Sequence, residues 1–171
     1  WVGVLHGTLR VGLSDDEVIE LASDPLAEKV SLASIASSMQ TTKSAGTTVA
    51  ATLLACRLAS KDNPIRVFAT GGIGGIHQHW STHMDISADL VALATTPMCV
   101  VASGAKSILD LDATVASLET IGVPVLGIGH NRFPRFIEKN GKEDPIVHQV
   151  DSVVEVASIC RRHWHHLGMR S

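Results

Sequence analysis

The stretch Thr70-Gly71-Gly72-Ile73-Gly74-Gly75-Ile76-His77 follows an apolar run, residues 65–69, that predicts a buried β-strand. Residues 71–75 are glycine at every position except Ile73, so the backbone there is almost bare of side chains. Such a loop can turn sharply and let a ligand approach the backbone closely. A tight turn that binds nothing explains the same glycines about equally well.

The glycines match neither of the two common nucleotide-binding fingerprints. A dinucleotide-binding loop starting at Gly72 would need a third glycine at position 77, where the chain has His77. The later segment Gly104-Ala105-Lys106-Ser107 lacks the glycine that directly precedes the lysine of a P-loop. The loop alone therefore names no ligand.

Further apolar runs alternate with segments that carry helix-start signals. The capping box Ser14-Asp15-Asp16-Glu17 predicts the first helix, because the Ser14 hydroxyl and the Glu17 carboxylate can satisfy free amides. The other predicted strands are residues 1–5, 28–32, 98–102, 123–128 and 146–150. The other predicted helices are residues 49–59, a segment capped by Asp85 or Ser87 that runs to 94, 113–121 after an Asp112 cap, and 152–168, and residues 130–145 predict a long loop.

Continuous apolar strands that alternate with helices are typical of parallel sheets covered by helices on both faces. The sequence therefore predicts one α/β domain over residues 1–171, layered α/β/α around a mostly parallel sheet. Ligands of such sheets bind at the carboxyl ends of the strands. Residues 71–77 and 104–106 both follow predicted strands and so fall at such ends.

Composition excludes several classes of function. A net charge of −3 argues against a nucleic-acid surface, and the absence of tyrosine argues against a platform that stacks successive bases. No apolar run is long enough to span a bilayer. Cys56, Cys99 and Cys160 lie in apolar segments and form no CxxC motif, which predicts reduced thiols and a cytoplasmic protein.

Three residue types near the glycines could carry chemistry. Lys106 directly follows a predicted strand, and a lysine in apolar surroundings is disfavoured as ammonium and can attack a carbonyl to form a Schiff base. Asp85 and Asp89 would share one face of a helix, where one could hold a divalent cation and the other move protons. Ser87, near the helix start, suits a phosphate. A surface lysine and helix-capping carboxylates are the simpler explanation.

Two groups of histidines are also candidates for metal binding. His77, His79 and His83 with Asp85 could form a zinc site, but their spacing fits no standard zinc motif. The histidine-rich segment 163–166 lies on a predicted terminal helix, which favours an exposed or interface face over a metal site.

The chain resembles the pseudouridine-5′-phosphate glycosidase family, also called the indigoidine synthase A family. The resemblance is strongest in VFATGGIGG (67–75), DISADL (85–90) and GAKSILDL (104–111), and weaker at 11–14, 29–31, 46–50 and 118–124. These segments occur in the family's order and with nearly its spacing. The set is far more specific than any one motif.

This resemblance implies an enzyme that cleaves the C–C glycosidic bond of pseudouridine 5′-phosphate, giving uracil and ribose 5-phosphate. It implies a homotrimer that acts on a small phosphosugar nucleoside with a divalent metal, manganese. The implied site residues are the nucleophile Lys106, the metal-binding Asp85, and the substrate-binding Lys29, Val49, His77, Ser87, Ala88 and Asp89, of which Asp89 also serves proton transfer.

The chain also departs from the family pattern. The resemblance implies an N-terminal segment with a proton-donating glutamate and a C-terminal part, and the chain starts after the first and stops before the second. Leu32-Ala33-Ser34 replaces a charged stretch, and residues 77–83 differ around Trp80. Two expectations follow. The chain is either part of an active glycosidase or a shortened, non-catalytic relative that binds a phosphosugar or serves as an assembly subunit.

Overall fold

The computed structural model describes residues 1–60, 62–139 and 141–171, which form two compact units, Trp1–Ile65 and Arg66–Ser171. Lys61 and Asn140, which fall in the predicted break after residue 59 and in the predicted loop 130–145, lie outside the described residues. The single domain over residues 1–171 stays a prediction.

The first unit is built on a four-stranded sheet in the order β2-β1-β4-β3. Its strands are β1 (Val2–Leu5), β2 (Thr8–Val11), β3 (Glu28–Val30) and β4 (Ala45–Thr47), and its helices are α1 (Asp15–Ser23), α2 (Ile35–Ser38) and α3 (Val49–Ala59). β1 runs antiparallel to both β2 and β4, while β3 and β4 are parallel. Val4, Val30 and Ala45 form its buried centre with Ile35 and Ala51.

The helix starts of this unit confirm the sequence predictions. The Ser14 amide donates to Glu17 Oε2 at 2.8 Å, and the Glu17 amide donates to Ser14 Oγ at 3.3 Å. Thr48 caps α3 by accepting a hydrogen bond from the Ala51 amide. Strands β2 and β4 were not predicted.

The described residues of the second unit form three two-stranded sheets. Its strands are β5 (Val67–Ala69), β6 (Ile76–His77), β7 (Cys99–Val101), β8 (Leu109–Asp110), β9 (Leu126–Ile128) and β10 (His148–Val150). Its helices are α4 (Trp80–His83), α5 (Ala88–Thr95), α6 (Leu111–Thr120) and α7 (Val153–Arg161), which continues into the π-helical turn Arg162–His166. The pairs β5–β7 and β9–β10 are parallel, and β6–β8 is antiparallel. The fold is α/β, as predicted.

Two expectations about this unit are wrong in detail. Asp110, not Asp112, caps α6, because its Oδ1 accepts from the Ala113 amide at 2.9 Å. The strands are not covered on both faces, since Val67, Val101 and Ile128 are between 45% and 63% exposed. These three side chains line an open apolar groove beside α7.

Among the described residues, no helix is both long enough and apolar enough to cross a membrane.

Candidate functional site

Two loops meet at one edge of the second unit: the glycine loop, residues 70–77, and the lysine loop, residues 103–107. They meet because β5 and β7 are parallel and each loop follows the carboxyl end of its strand. Ser103 donates its amide to the Gly71 carbonyl at 2.9 Å, and Ile73 donates to the Gly104 carbonyl at 3.0 Å. Lys106 then donates its amide to the Ile73 carbonyl at 3.3 Å. The predicted neighbourhood of the two loops is confirmed.

Asp89 and Ser87 support the glycine loop from the start of α5. Asp89 is buried, and its Oδ2 accepts from the Gly74 amide at 2.8 Å. A Cβ at Gly74 would lie 2.3 Å from Ser87 Oγ and 2.8 Å from Asp89 Oδ2. Only glycine allows this approach, so the Asp89 carboxylate holds the loop backbone directly. Any role of Asp89 in proton transfer would come in addition to this structural one.

A third support, Thr114 of α6, was missed by the sequence analysis. Thr114 is fully buried, and its Oγ1 accepts from the Ile76 amide at 2.9 Å and donates to the Asp110 carbonyl at 2.6 Å. A Cβ at Gly75 would come within 2.4 Å of that hydroxyl. The same glycine loop is thus pinned from two helices.

Asp85 and Asp89 do not share a helix face, which corrects the prediction. Helix α5 begins at Ala88 after the Ser87 cap, whose Oγ accepts from the Asp89 amide at 3.2 Å. Asp85 precedes it in an extended segment, where its carbonyl accepts from the His77 amide at 3.0 Å. Asp85 is therefore exposed while Asp89 is buried, and the two carboxylates face different surroundings.

Asp85 and His77 form the part of the site that could bind a cation. Asp85 Oδ2 lies 3.7 Å from His77 Nδ1, and their side chains are 63% and 39% exposed. In the part of the chain that the structure describes, no three His, Cys, Asp or Glu side chains are grouped so as to hold a metal. A carboxylate oxygen with one neighbouring imidazole fits a weakly held hard cation that takes its other ligands from water and substrate.

Lys106 is fixed through its backbone and exposed through its side chain. Its carbonyl accepts from the Leu109 amide at 3.0 Å. The apolar surroundings expected around Lys106 are not found, because Lys106 is exposed although Gly104 and Ala105 before it are buried. The side chain is open to a ligand that enters from solvent.

The segment predicted as a plain loop, residues 130–145, also reaches the site. Gly104 has φ +77°, and a Cβ there would lie 1.9 Å from the Pro134 carbonyl oxygen. Phe136 donates its amide to the Ser103 carbonyl at 2.8 Å. Cβ atoms placed at Gly71 and Gly72 would meet the Phe136 ring at 2.8 and 3.0 Å. No local sequence pattern indicated these contacts.

A buried carboxylate anchors this segment. Asp144 is buried, and its Oδ1 accepts from Arg135 Nε while its Oδ2 accepts from the Gly141 amide at 2.6 Å. The Arg132 guanidinium donates to the Asp144 carbonyl at 2.7 Å. The hydrogen bond to Asp144 raises the pKa of Arg135, so its guanidinium stays charged.

Lys29 and Val49, the remaining predicted substrate contacts, belong to the first unit. Lys29 is exposed in β3, and Val49 is buried at the first position of α3. Their roles stay predictions, as do those of Ala88 and the residues around it.

Residues 1–171 match the family model described as indigoidine synthase A like protein over their whole length. The chain belongs to this family. It is 47% identical over 158 residues to a pseudouridine-5′-phosphate glycosidase from Saccharopolyspora erythraea, covering 92% of this chain and 50% of that protein. It is 40% identical over 163 residues to one from Glaesserella parasuis, covering 95% and 52%. The resemblance seen in the sequence is confirmed.

Two solved structures share the fold of this chain. The prealnumycin C-glycosynthase AlnA, in complex with ribulose 5-phosphate, has a TM-score of 0.89 at 35% identity and covers 99% of this chain and 54% of its own. An indigoidine synthase A-like protein from Thermotoga maritima has a TM-score of 0.87 at 32% identity, covering 99% and 55%. The chain thus spans about half the length of the family relatives it matches.

Proposed function

We propose that the protein acts as a pseudouridine-5′-phosphate glycosidase, which releases uracil from C1′ of the ribose 5-phosphate. The observation that carries the proposal is the backbone ladder between the glycine loop and the lysine loop, which holds Lys106 beside a bare peptide surface. Relatives that are 40% and 47% identical carry this name, and one structural neighbour is a C-glycosynthase seen with ribulose 5-phosphate.

The exposed Lys106 amine serves as the nucleophile in this proposal. In its neutral form it attacks C1′, forming the C1′–N bond as the C1′–O4′ bond breaks. O4′ then takes up a proton, and the new secondary ammonium gives one up. A proton then adds to C5 of the uracil ring. The nitrogen lone pair forms a C=N bond as the C1′–C5 electron pair leaves with uracil. Water hydrolyses the resulting Schiff base and returns ribose 5-phosphate and free lysine. A carbon leaving group departs far more easily by this covalent route than by direct hydrolysis.

The residues around Lys106 bind and orient the substrate. The glycine loop lets the sugar approach the backbone, and the start of α5 at Ser87 and Ala88 suits its phosphate. Asp89 keeps the loop in place and is the proposed group for proton transfer. Lys29 and Val49 are proposed as further substrate contacts.

Asp85, with His77 beside it, would hold the divalent cation, manganese in this proposal. When bound, such an ion supplies positive charge close to the anionic substrate. The exposed carboxylate of Asp85 suits this role better than the buried one of Asp89, which already holds the Gly74 amide.

A second function, binding of a phosphosugar without turnover, is favoured by one observation. Lys106 is exposed, so its side chain remains in contact with water. A relative that keeps the loops but not a closed pocket would bind the sugar phosphate and leave the C–C bond intact.

Uracil release distinguishes the two functions. The 171-residue chain is incubated with pseudouridine 5′-phosphate and Mn²⁺, and free uracil is quantified by liquid chromatography. The Lys106→Gln variant should release none, while Lys142→Gln, a control at an exposed lysine of the 130–145 segment, should match the parent chain. Ligand-induced thermal stabilisation without uracil would support the binding function. If neither uracil release nor thermal stabilisation is observed, both functions are contradicted.

A further inference from the structure

Phe136 has a backbone conformation that is unfavourable for phenylalanine. Its φ is +62°, in the left-handed region, where a bulky residue is an outlier. Residues in such conformations persist only where the surrounding structure enforces them, and they cluster at binding and active sites. Tertiary contacts must therefore hold Phe136 in this conformation.

The enforcing contacts are made by the two residues before Phe136 and by its own amide. Before it, Pro134 packs its carbonyl against Gly104, and Arg135 is tied to the buried Asp144. Its own amide donates to Ser103 of the lysine loop. These bonds place Phe136 at a fixed position next to the loop that carries Lys106.

The ring of Phe136 lies on the glycine loop. Gly71 and Gly72 would strike the ring if either carried a side chain. Phe136 nevertheless remains 36% exposed, so part of the ring is not covered by protein. A half-covered aromatic ring at the edge where β5 and β7 end offers a flat apolar surface to a ligand bound between the loops.

We propose that Phe136 packs against the planar nucleobase of the substrate and sets the preference for a base-bearing phosphosugar over the bare phosphosugar. The inference rests on the proposed function. A pyrimidine ring has a flat face that an aromatic side chain contacts favourably, whereas ribose 5-phosphate has none. Phe136 thereby discriminates between substrate and product at the same pocket.

Binding measured by isothermal titration tests this proposal with two ligands. All proteins carry Lys106→Gln in the 171-residue chain, so that no covalent adduct forms. Phe136→Asn removes the ring, and asparagine tolerates the left-handed backbone. It should weaken the binding of pseudouridine 5′-phosphate about 5- to 150-fold, by the usual effect of losing one aromatic contact to a base. Binding of ribose 5-phosphate should change less than about twofold.

Phe136→Tyr is the matched control, because it keeps the ring, and it should bind both ligands like the parent. Phe136→Leu is the second test variant, which keeps an apolar side chain without a flat face and should behave like Phe136→Asn. Unchanged affinity for pseudouridine 5′-phosphate in both ring-deleted variants would overturn the role of Phe136 but not the proposed function. Equal weakening of both ligands would also overturn it, because that result indicates displaced loops. A parent that binds neither ligand would overturn the proposed function and this inference together.

Discussion

Replacing Thr114 by valine removes the hydroxyl that pins the glycine loop while keeping the shape of the side chain. The Ile76 amide, which donates to Thr114 Oγ1 at 2.9 Å, then has no acceptor in a fully buried environment. The Asp110 carbonyl loses the hydroxyl but keeps its place at the start of α6. Leaving one buried donor unpaired costs about 1–3 kcal/mol, and this is the expected local destabilisation.

Amide hydrogen exchange at Ile76 measures this cost where it arises. A loss of about 1–3 kcal/mol corresponds to exchange roughly 5 to 150 times faster. Thr120→Val is the matched control, since Thr120 lies on the same helix and its exposed hydroxyl donates to the Ala116 carbonyl at 2.8 Å. That variant should leave Ile76 exchange unchanged. Equal exchange at Ile76 in Thr114→Val and the parent would refute the account of how the loop is held.

Three further predictions concern other parts of the chain. Gly104→Ala should destabilise the second unit by at least about 1 kcal/mol, because φ is +77° and its Cβ would lie 1.9 Å from the Pro134 oxygen. Gly129→Ala, at φ +72° with open space around it, is the milder control, and equal melting temperatures of the two variants would contradict the contact with Pro134. Burial, with a further contribution from Cys99, raises the pKa of Cys160 to about 11. Alkylation of Cys160 by iodoacetamide, followed by mass spectrometry, should therefore be much slower near neutral pH than that of free cysteine and should speed up toward pH 11. Labelling as fast as in a peptide would refute this. The Ser14 amide holds the pKa of Glu17 below its ordinary 4.5, so the capping box stabilises the first unit above pH 4.5 and loses this effect as the pH falls through the folded-state pKa of Glu17. Glu17→Gln should remove this part of the pH dependence of unfolding, and an unchanged dependence would count against the prediction.

The sequence predicted the part of the site that follows from strand order. Glycines after β5 and Lys106 after β7 meet because parallel strands end at the same edge. The Ser87 cap also followed from local chemistry, since a serine hydroxyl accepts from the amides of a helix start.

Other elements could not be predicted, because tertiary contacts decide them. Asp85 was expected on a helix, but Ile86 bridges Ile76 and keeps the segment extended. Thr114 and Phe136 look like an ordinary helical threonine and an ordinary loop phenylalanine, and only their contacts with Gly75 and Gly72 reveal their roles.

One missed element did leave a local signal. The hairpin between β1 and β2 turns at His6 and Gly7, with φ values of +49° and +76°. A glycine in the second position of such a two-residue turn is typical of hairpins. The exposed face of β5, β7 and β9 left none, because an apolar run does not show whether one face or two are covered.

Borohydride trapping tests the central claim most directly, because it reports on the bond between Lys106 and the sugar. The chain is incubated with ribose 5-phosphate, reduced with borohydride and digested for mass spectrometry. The account predicts a stable adduct on the peptide that contains Lys106, absent from Lys106→Gln and present in Lys142→Gln. An unmodified Lys106 in a folded, Mn²⁺-supplemented sample, or an adduct spread evenly over the exposed lysines, would contradict it.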